Sequence, residues 1–358
     1  MSTWKSCVAV LLCSLIAPLH AQPPTAPAPA STVAVTDLAT VTVSGVQPGP
    51  GLWKVSRGEH VLWLLGVIPS LPEHMQWQSD EVAQVIAQAQ EVILPPKVKL
   101  KVDVGFFGKL FLLPSAYGAR KNADGRTLAE VLPAVLYARW QALKQTYLAR
   151  NHAIERWRPI FAAMELRQKA LRQHGLRSSS AIRATVEALA TQHGVKQTAT
   201  EYQLVIEHPR AAIKAFKASA PDDVTCFART LESIEHDLPT MTARANAWAI
   251  GDVATLRQLP DSHYRDACMA ALTEAGFAHQ LGLNDVPARV EAIWQQAARR
   301  ALATNRQSVA LLPMDELLAP DGYLAHLQAQ GYTVEAPDDD ERADAASVPA
   351  TAGSTAGP

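Results

Sequence analysis

The stretch His60-Val61-Leu62-Trp63-Leu64-Leu65-Gly66-Val67-Ile68-Pro69 reads as an apolar strand that enters a loop at Gly66. In α/β proteins, side chains that bind ligands sit in such a loop, beyond the carboxyl end of the strand. The residue at that place here is Pro69, whose side chain has no donor, no titratable group and no metal-binding lone pair. Upstream, Gly51–Ser56 and Glu59–Leu65 flank Arg57-Gly58 and read as a hairpin. Near the other end of the chain, Ser308-Val309-Ala310-Leu311-Leu312 is a buried-type strand, followed by a loop from Pro313 to Pro320. A helix from Asp321 to Gln330 and a strand Tyr332–Glu335 complete a β-loop-α-β unit. The Pro313–Pro320 loop stands where Val67-Ile68-Pro69 stands after its own strand, so the two strand ends are expected to line one pocket.

Between these ends the pattern is helical. Ser79-Asp80-Glu81 opens a helix to about Gln90, with acids in the first turn where the helix dipole favours them. Glu91-Val92-Ile93-Leu94 is a short strand stopped by Pro95-Pro96, and Val98–Val104 alternates like another strand. Thr127–Glu130 is a capping box that opens a segment running through Trp140 and Tyr147 towards Pro159. Gly175 ends the next helix and Ser178-Ser179-Ser180 opens another. Asp222-Asp223 opens a long helix to about Trp248, broken at Gly251-Asp252, and Val290, Ile293, Trp294, Ala297 and Ala301 form a core-facing helical stripe. The fold class expected is α/β (α+β mixed): a central mixed β-sheet built from N- and C-terminal segments, with a large helical middle region.

The 358 residues carry 33 Lys+Arg against 34 Asp+Glu, a net charge of −1, which gives no electrostatic case for nucleic acid. Lys5, the apolar run Cys7–Leu19 and the small residue Ala21 form a secretory signal over 1–21. That run is too short for a spanning helix, and no later stretch approaches the roughly 20 apolar residues one needs. Residues 22–39 form a Pro/Ala-rich linker, 40–336 the folded body, and 337–358 an acidic tail without the apolar residues to pack. The location implied is periplasmic or secreted, with a Gram-negative periplasm favoured by the Ala- and Pro-rich composition. Cys7 and Cys13 leave with the signal. Cys226 and Cys268 remain in an oxidising compartment, where a disulfide between two helices is expected.

Most catalytic patterns are absent: HExxH, GxSxG, GxxxxGK[ST] and GxGxxG do not occur. The histidines are scattered without ligand spacing, and Ser70 has no evident His and Asp partners. Asp315 and Glu316 lie on the loop that follows a buried strand. Two adjacent carboxylates do not make a metal site, because hard cations take about six oxygens and catalytic zinc about three protein ligands. Trp53, Trp63 and Trp77 near the first loop have the shape to stack on sugar rings, though core packing accounts for them better.

Leu52-Trp53-Lys54-Val55-Ser56, Leu62–Gly66, Leu71-Pro72 and Ser79–Ala89, taken in order, resemble the opening of TraB/GumN-type proteins. The resemblance continues through Ala247–Asp252 and ends with Asp321-Gly322-Tyr323-Leu324 and Leu327–Val334, covering most of 50–336. The family includes the Tiki-type membrane proteases, and the resemblance implies metal-dependent hydrolysis. Its expected ligands are the histidines of two GxxH motifs and an acidic residue at the end of an intervening strand. Carried onto this chain, the first GxxH falls on Gly66-Val67-Ile68-Pro69 and the acidic position on Pro95. The second GxxH falls on Pro313-Met314-Asp315-Glu316. None of the expected ligands keeps its identity, and of the replacements only Glu316 can still coordinate a cation.

The sequence therefore points to an exported, catalytically inactive member that serves as a binding or accessory component of the envelope. It would work with an envelope protein or saccharide as partner, and without a cofactor, catalytic residue or metal ligand of its own. Gly66, Pro69, Pro95, Pro313 and Glu316 mark its degenerate site. The alternative is a hydrolase or peptidase that holds a divalent metal in a non-standard site built from Asp315, Glu316 and a distant His. A third reading makes the helical middle a partner-docking surface.

Overall fold

The computed structural model describes residues 46–339 apart from 48, 78–79, 103, 150, 179, 219–222, 260–263, 274–277, 279–282 and 284. The predicted signal peptide and linker, the cap residue Ser79, Asp222 and the tail from Asp340 lie outside the described residues. Among the described residues there are twelve strands: β1 (Val46–Gln47), β2 (Leu52–Arg57), β3 (His60–Val67), β4 (Ser70–Pro72), β5 (Gln76–Trp77) and β6 (Glu91–Ile93) come first in the chain. They are followed by β7 (Lys97–Val102), β8 (Leu176–Ser178), β9 (Lys196–Thr198), β10 (Glu201–Ile206), β11 (Gln307–Pro313) and β12 (Thr333–Glu335).

The apolar runs of β3 and β11 find each other across the length of the chain. They pair in parallel from Val61 opposite Gln307 to Val67 opposite Pro313, with Leu62, Leu64, Leu65, Ala310, Leu311 and Leu312 fully buried. This seam is the middle of a six-stranded mixed sheet ordered β12-β2-β3-β11-β6-β9. β2 and β3 form the expected hairpin, β12 closes one side antiparallel, and β6 and β9 continue the other side in parallel. The sheet is thus built from the two ends of the chain, as expected, with one edge strand contributed by the helical middle.

The helices Asp80–Gln88 and Val286–Thr304 pack against this sheet, the latter through Trp294, Ala297, Ala298 and Ala301. Between them lies a second core, where Trp140 meets Phe227 at 5.6 Å between ring centroids among Leu128, Ile154, Leu166 and Leu231. The long helices read from the sequence are shorter here, for a local reason. The capping box holds, with the Thr127 N–H donating to the Glu130 carboxylate at 2.7 Å, but its helix ends at Val131 ahead of Pro133. A new helix, Ala134–Tyr147, follows. Likewise the segment after Asp223 is divided by a wider turn at Ser233–Asp237, because Pro239 has no N–H to continue the ladder. The loop expected over Pro313–Pro320 contains one short helix, Met314–Leu318. The start of the acidic tail is packed rather than loose: Asp338 is buried against Arg257, and the Asp339 carboxylate accepts the Ala336 N–H at 2.6 Å.

Cys226 and Cys268 are bridged, joining the helices Asp223–Glu232 and Tyr264–Thr273. At the amino end of the sheet, the buried Glu91 carboxylate is met by Lys196 and Arg300, each at 3.2 Å, by Asn305 at 3.1 Å, and by Thr198. Burial alone would raise this carboxyl; hydrogen bonds from Thr198, Lys196 and Asn305 outweigh it and hold the pKa below the ordinary glutamate value.

At the other end of the seam, Gly66 is buried under the short helix. A Cβ there would collide with the Met314 methyl and lie 2.9 Å from Leu317 Cδ1 and 3.0 Å from Met314 Sδ. The Gly66 carbonyl accepts the indole N–H of the fully buried Trp248 at 2.7 Å.

Three outcomes follow from these contacts. Gly66→Ala should cost about 1–3 kcal/mol in chemical denaturation, as overpacking does, and adding Met314→Ala should recover part of the overpacking penalty, a coupling that a double-mutant cycle reads. Glu91→Gln should cost about 1–3 kcal/mol near neutral pH. Because the native pKa is depressed, this stabilisation is present above the unfolded-state pKa and lost as pH falls through the folded one. The wild type and variant should therefore converge in urea titrations below the ordinary glutamate range. Reduction, or Cys226→Ser, should remove up to about 4 kcal/mol for a bridge spanning 42 residues, seen as a lower Tm in matched thermal scans.

Candidate functional site

The parallel run of β3, β11 and β6 brings the carboxyl ends of three strands to one edge of the sheet. Each strand leaves that edge through proline. Pro69 stands at the exposed bend between β3 and β4, and Pro313 ends β11 and precedes the Met314–Leu318 helix. Pro95 follows β6, where Pro95-Pro96 offers no N–H to extend the ladder. The Leu94 N–H donates to the Thr198 carbonyl at 2.9 Å and the Lys97 N–H to the Thr200 carbonyl at 3.1 Å, so the chain is handed from the sheet into the separate β7–β10 ribbon.

β3 and β11 are neighbours, but the expectation that their ends line one pocket is corrected by the structure. They open into different clefts. Pro69 lines a cleft of about 620 Å³ between the β4–β8 pair and the helix Pro159–Gln173, with Arg167, Arg172, Arg177 and Tyr264 on its walls. Glu316 lines another, of about 840 Å³, with Asp315, Asp321, Arg244 and Arg257. Pro95 and Pro313 line neither.

In the second cleft, Arg244 ties the strand end to the helix Leu238–Ala249. Its Nη2 lies 3.3 Å from Asp315 Oδ1, and its Nη1 donates to the Leu259 carbonyl at 3.1 Å. Asp315 is thereby committed to an ion pair. Glu316 instead faces the field of Tyr323, whose hydroxyl is pushed up by burial first and by the Glu316 and Glu291 carboxylates second. A divalent cation does not fit this edge: the proline side chains donate nothing and Glu316 is a single carboxylate. Among the described residues, no three of His, Cys, Asp and Glu gather closely enough to hold a metal ion.

The first cleft has a different chemistry. Arg167, Gln168, Leu171 and Arg172 occupy one face of their helix, and Arg177 enters from β8, where it pairs with Glu73. The Arg167 guanidinium lies over the Tyr264 ring at 4.0 Å. A guanidinium fork is the side-chain group that matches carboxylates and phosphates in bidentate fashion. Ser70, at the cleft margin, is buried and has no histidine beside it on the cleft walls. No sequence motif marks these arginines; the local signal is that Arg167 and Arg172 share a helix face with Gln168 and Leu171. Trp53 and Trp77 are core residues: Trp53 is buried and Trp77 meets Trp248 edge-on at 5.4 Å.

No curated protein and no solved structure matches the chain. A model of the TraB/PrgY/gumN family matches residues 51–336, from the residue before the hairpin's first strand to the residue after β12, and the chain belongs to that family.

Proposed function

We propose that this protein is an exported, non-hydrolytic member of its family that binds an anionic envelope component, with an acidic saccharide as the ligand class. The observation that carries the reading is the composition of the shared strand edge. Proline stands at 69, 95 and 313, and the one carboxylate among the replacements, Glu316, opens into a different cleft from Pro69. A lone carboxylate neither holds a divalent metal tightly nor brings the pKa of a bound water towards neutrality. The cleft beside Pro69 supports the binding side of the proposal, because Arg172 and Arg177 present cations and Tyr264 presents a ring on which a sugar can stack. The predicted signal over 1–21 and the disulfide support export into an oxidising compartment.

Protein purified without chelator should contain well under one equivalent of transition metal by mass spectrometry and show no cleavage on a peptidase panel. Stoichiometric metal that disappears in Glu316→Ala would overturn the non-hydrolytic reading. A defined oligogalacturonate should bind by titration calorimetry, and Arg172→Glu/Arg177→Glu should weaken it by about tenfold or more, as the loss of paired charge-assisted contacts requires. Equal affinity in the variant would remove the cleft from the account.

A further inference from the structure

A second surface, away from both clefts, is built from apolar and cationic residues with few acids. The helix Phe106–Gly118 has no acidic residue, and Leu110, Phe111, Leu113 and Tyr117 on it are 53–71% exposed. Beside it runs an apolar groove of about 500 Å³, floored by Leu100 and Leu204 at one register position of the β7–β10 ribbon and by Val102 and Ile206 at the next. The groove's other wall is the helix Pro209–Ala218, which turns Ile213 and Phe216 inward. Its exposed face carries Arg210, Lys214 and Lys217 and likewise no acid. Lys217 Nζ reaches Ser115 Oγ at 3.5 Å, joining the cationic helix to the apolar one. At the carboxyl end of the apolar helix, Arg120 lies 4.1 Å over the Trp157 ring and Lys121 5.9 Å from the Tyr117 ring. Acids at the margins of this face include Glu201, which holds Lys97 and Lys99, Glu207 at the end of β10, Asp285, which pairs with Arg289, and Glu165.

An apolar patch of this kind on a chain surface marks an interface. The helix Phe106–Gly118 has 13 residues, too few to cross a bilayer, so a membrane could meet it only along its side. Two-fold pairing of this face with a second copy would set two sets of Arg210, Lys214 and Lys217 on the same interface, where like charges repel. An anionic leaflet answers both halves of the face. Its acyl boundary receives Leu110, Phe111 and Leu113, its headgroup layer suits Tyr117 and Trp157, and its phosphates meet the lysines. We propose that this face docks the protein on anionic phospholipid, with the helix Phe106–Gly118 lying in the plane of the headgroups and the helix Pro209–Ala218 supplying the cations.

The test is co-sedimentation of the full chain with vesicles of phosphatidylcholine, with and without phosphatidylglycerol. All variants are made in the same chain, so any contribution of residues 1–45 is common to all. Wild type should bind the anionic vesicles at least fivefold better than the neutral ones. Phe111→Glu/Leu113→Glu should lose at least fivefold of that binding. Arg210→Glu/Lys214→Glu, at exposed positions outside the core, should abolish the preference for anionic vesicles while leaving the far-UV spectrum and Tm unchanged. Variants that bind as wild type does would overturn the proposal. So would light scattering that shows a lipid-free dimer dissociated by Phe111→Glu, which would assign the face to a second copy.

Discussion

The missing side chain at Gly66 sets the closest approach in the molecule's centre, and the joining of its parts depends on it. β2 reaches only to Leu65, one residue short of Gly66, whose carbonyl takes the indole N–H of Trp248. Trp248 is fully buried, so an unpaired indole N–H would cost on the order of 1–3 kcal/mol. That one hydrogen bond anchors the last turn of the helix Leu238–Ala249 to the sheet seam. Just beyond it, Gly251 adopts φ +75, and a Cβ there would stand 3.1 Å from the backbone nitrogen of Gly51. The Gly49 N–H donates to the Ala249 carbonyl at 2.9 Å, so two distant segments meet backbone to backbone beside the bond from Trp248 to Gly66. Met314 then closes over Gly66 from the other side. The glycine that the family resemblance aligns with a ligand motif is therefore accounted for here by packing alone.

The two ends of the sheet have been put to different uses. At the amino end, Glu91 is buried with Lys196, Arg300 and Asn305 around it, a charge placed where hydrogen bonds can satisfy it. At the carboxyl end, where α/β proteins put reactive groups, three exits run through proline and the nearest aspartate is neutralised by Arg244. The arginine wall formed by Arg167 and Arg172 lies in the cleft that Pro69 lines.

How much of this the residues disclosed depends on whether the signal was local. The strand at 60–67 and the one at 307–313 are legible because their apolar runs are long and bounded by Gly66 and Pro313; that they are direct neighbours is a tertiary fact that no window of sequence contains. β8 and β9 escape reading because they are three residues each and mostly polar, held by partners rather than by propensity. β10 was missed although Tyr202, Leu204 and Ile206 alternate, since its pairing with β7 lies outside the main sheet. Pro133 and Pro239 were visible breakers, and reading helices through them gave segments that were too long. The disulfide was legible because compartment and cysteine count left one pair. The arginine cleft was not, since Tyr264 and Arg177 reach it from separate elements.

On the function proposed above, the prolines do more than mark lost ligands. Pro95-Pro96 directs the chain out of the sheet and into the β7–β10 ribbon, Pro313 sets φ −53 immediately before the Met314–Leu318 helix, and that helix is what covers Gly66. A histidine at 69 alone would meet no partner at 95, and a carboxylate at 95 would restore an N–H where the ladder now ends. Each position has acquired a structural duty that a ligand would disturb, so the strand edge has no single-residue route back to a metal centre. The chemistry left to such a fold is recognition, which needs only shape and charge at its clefts and faces.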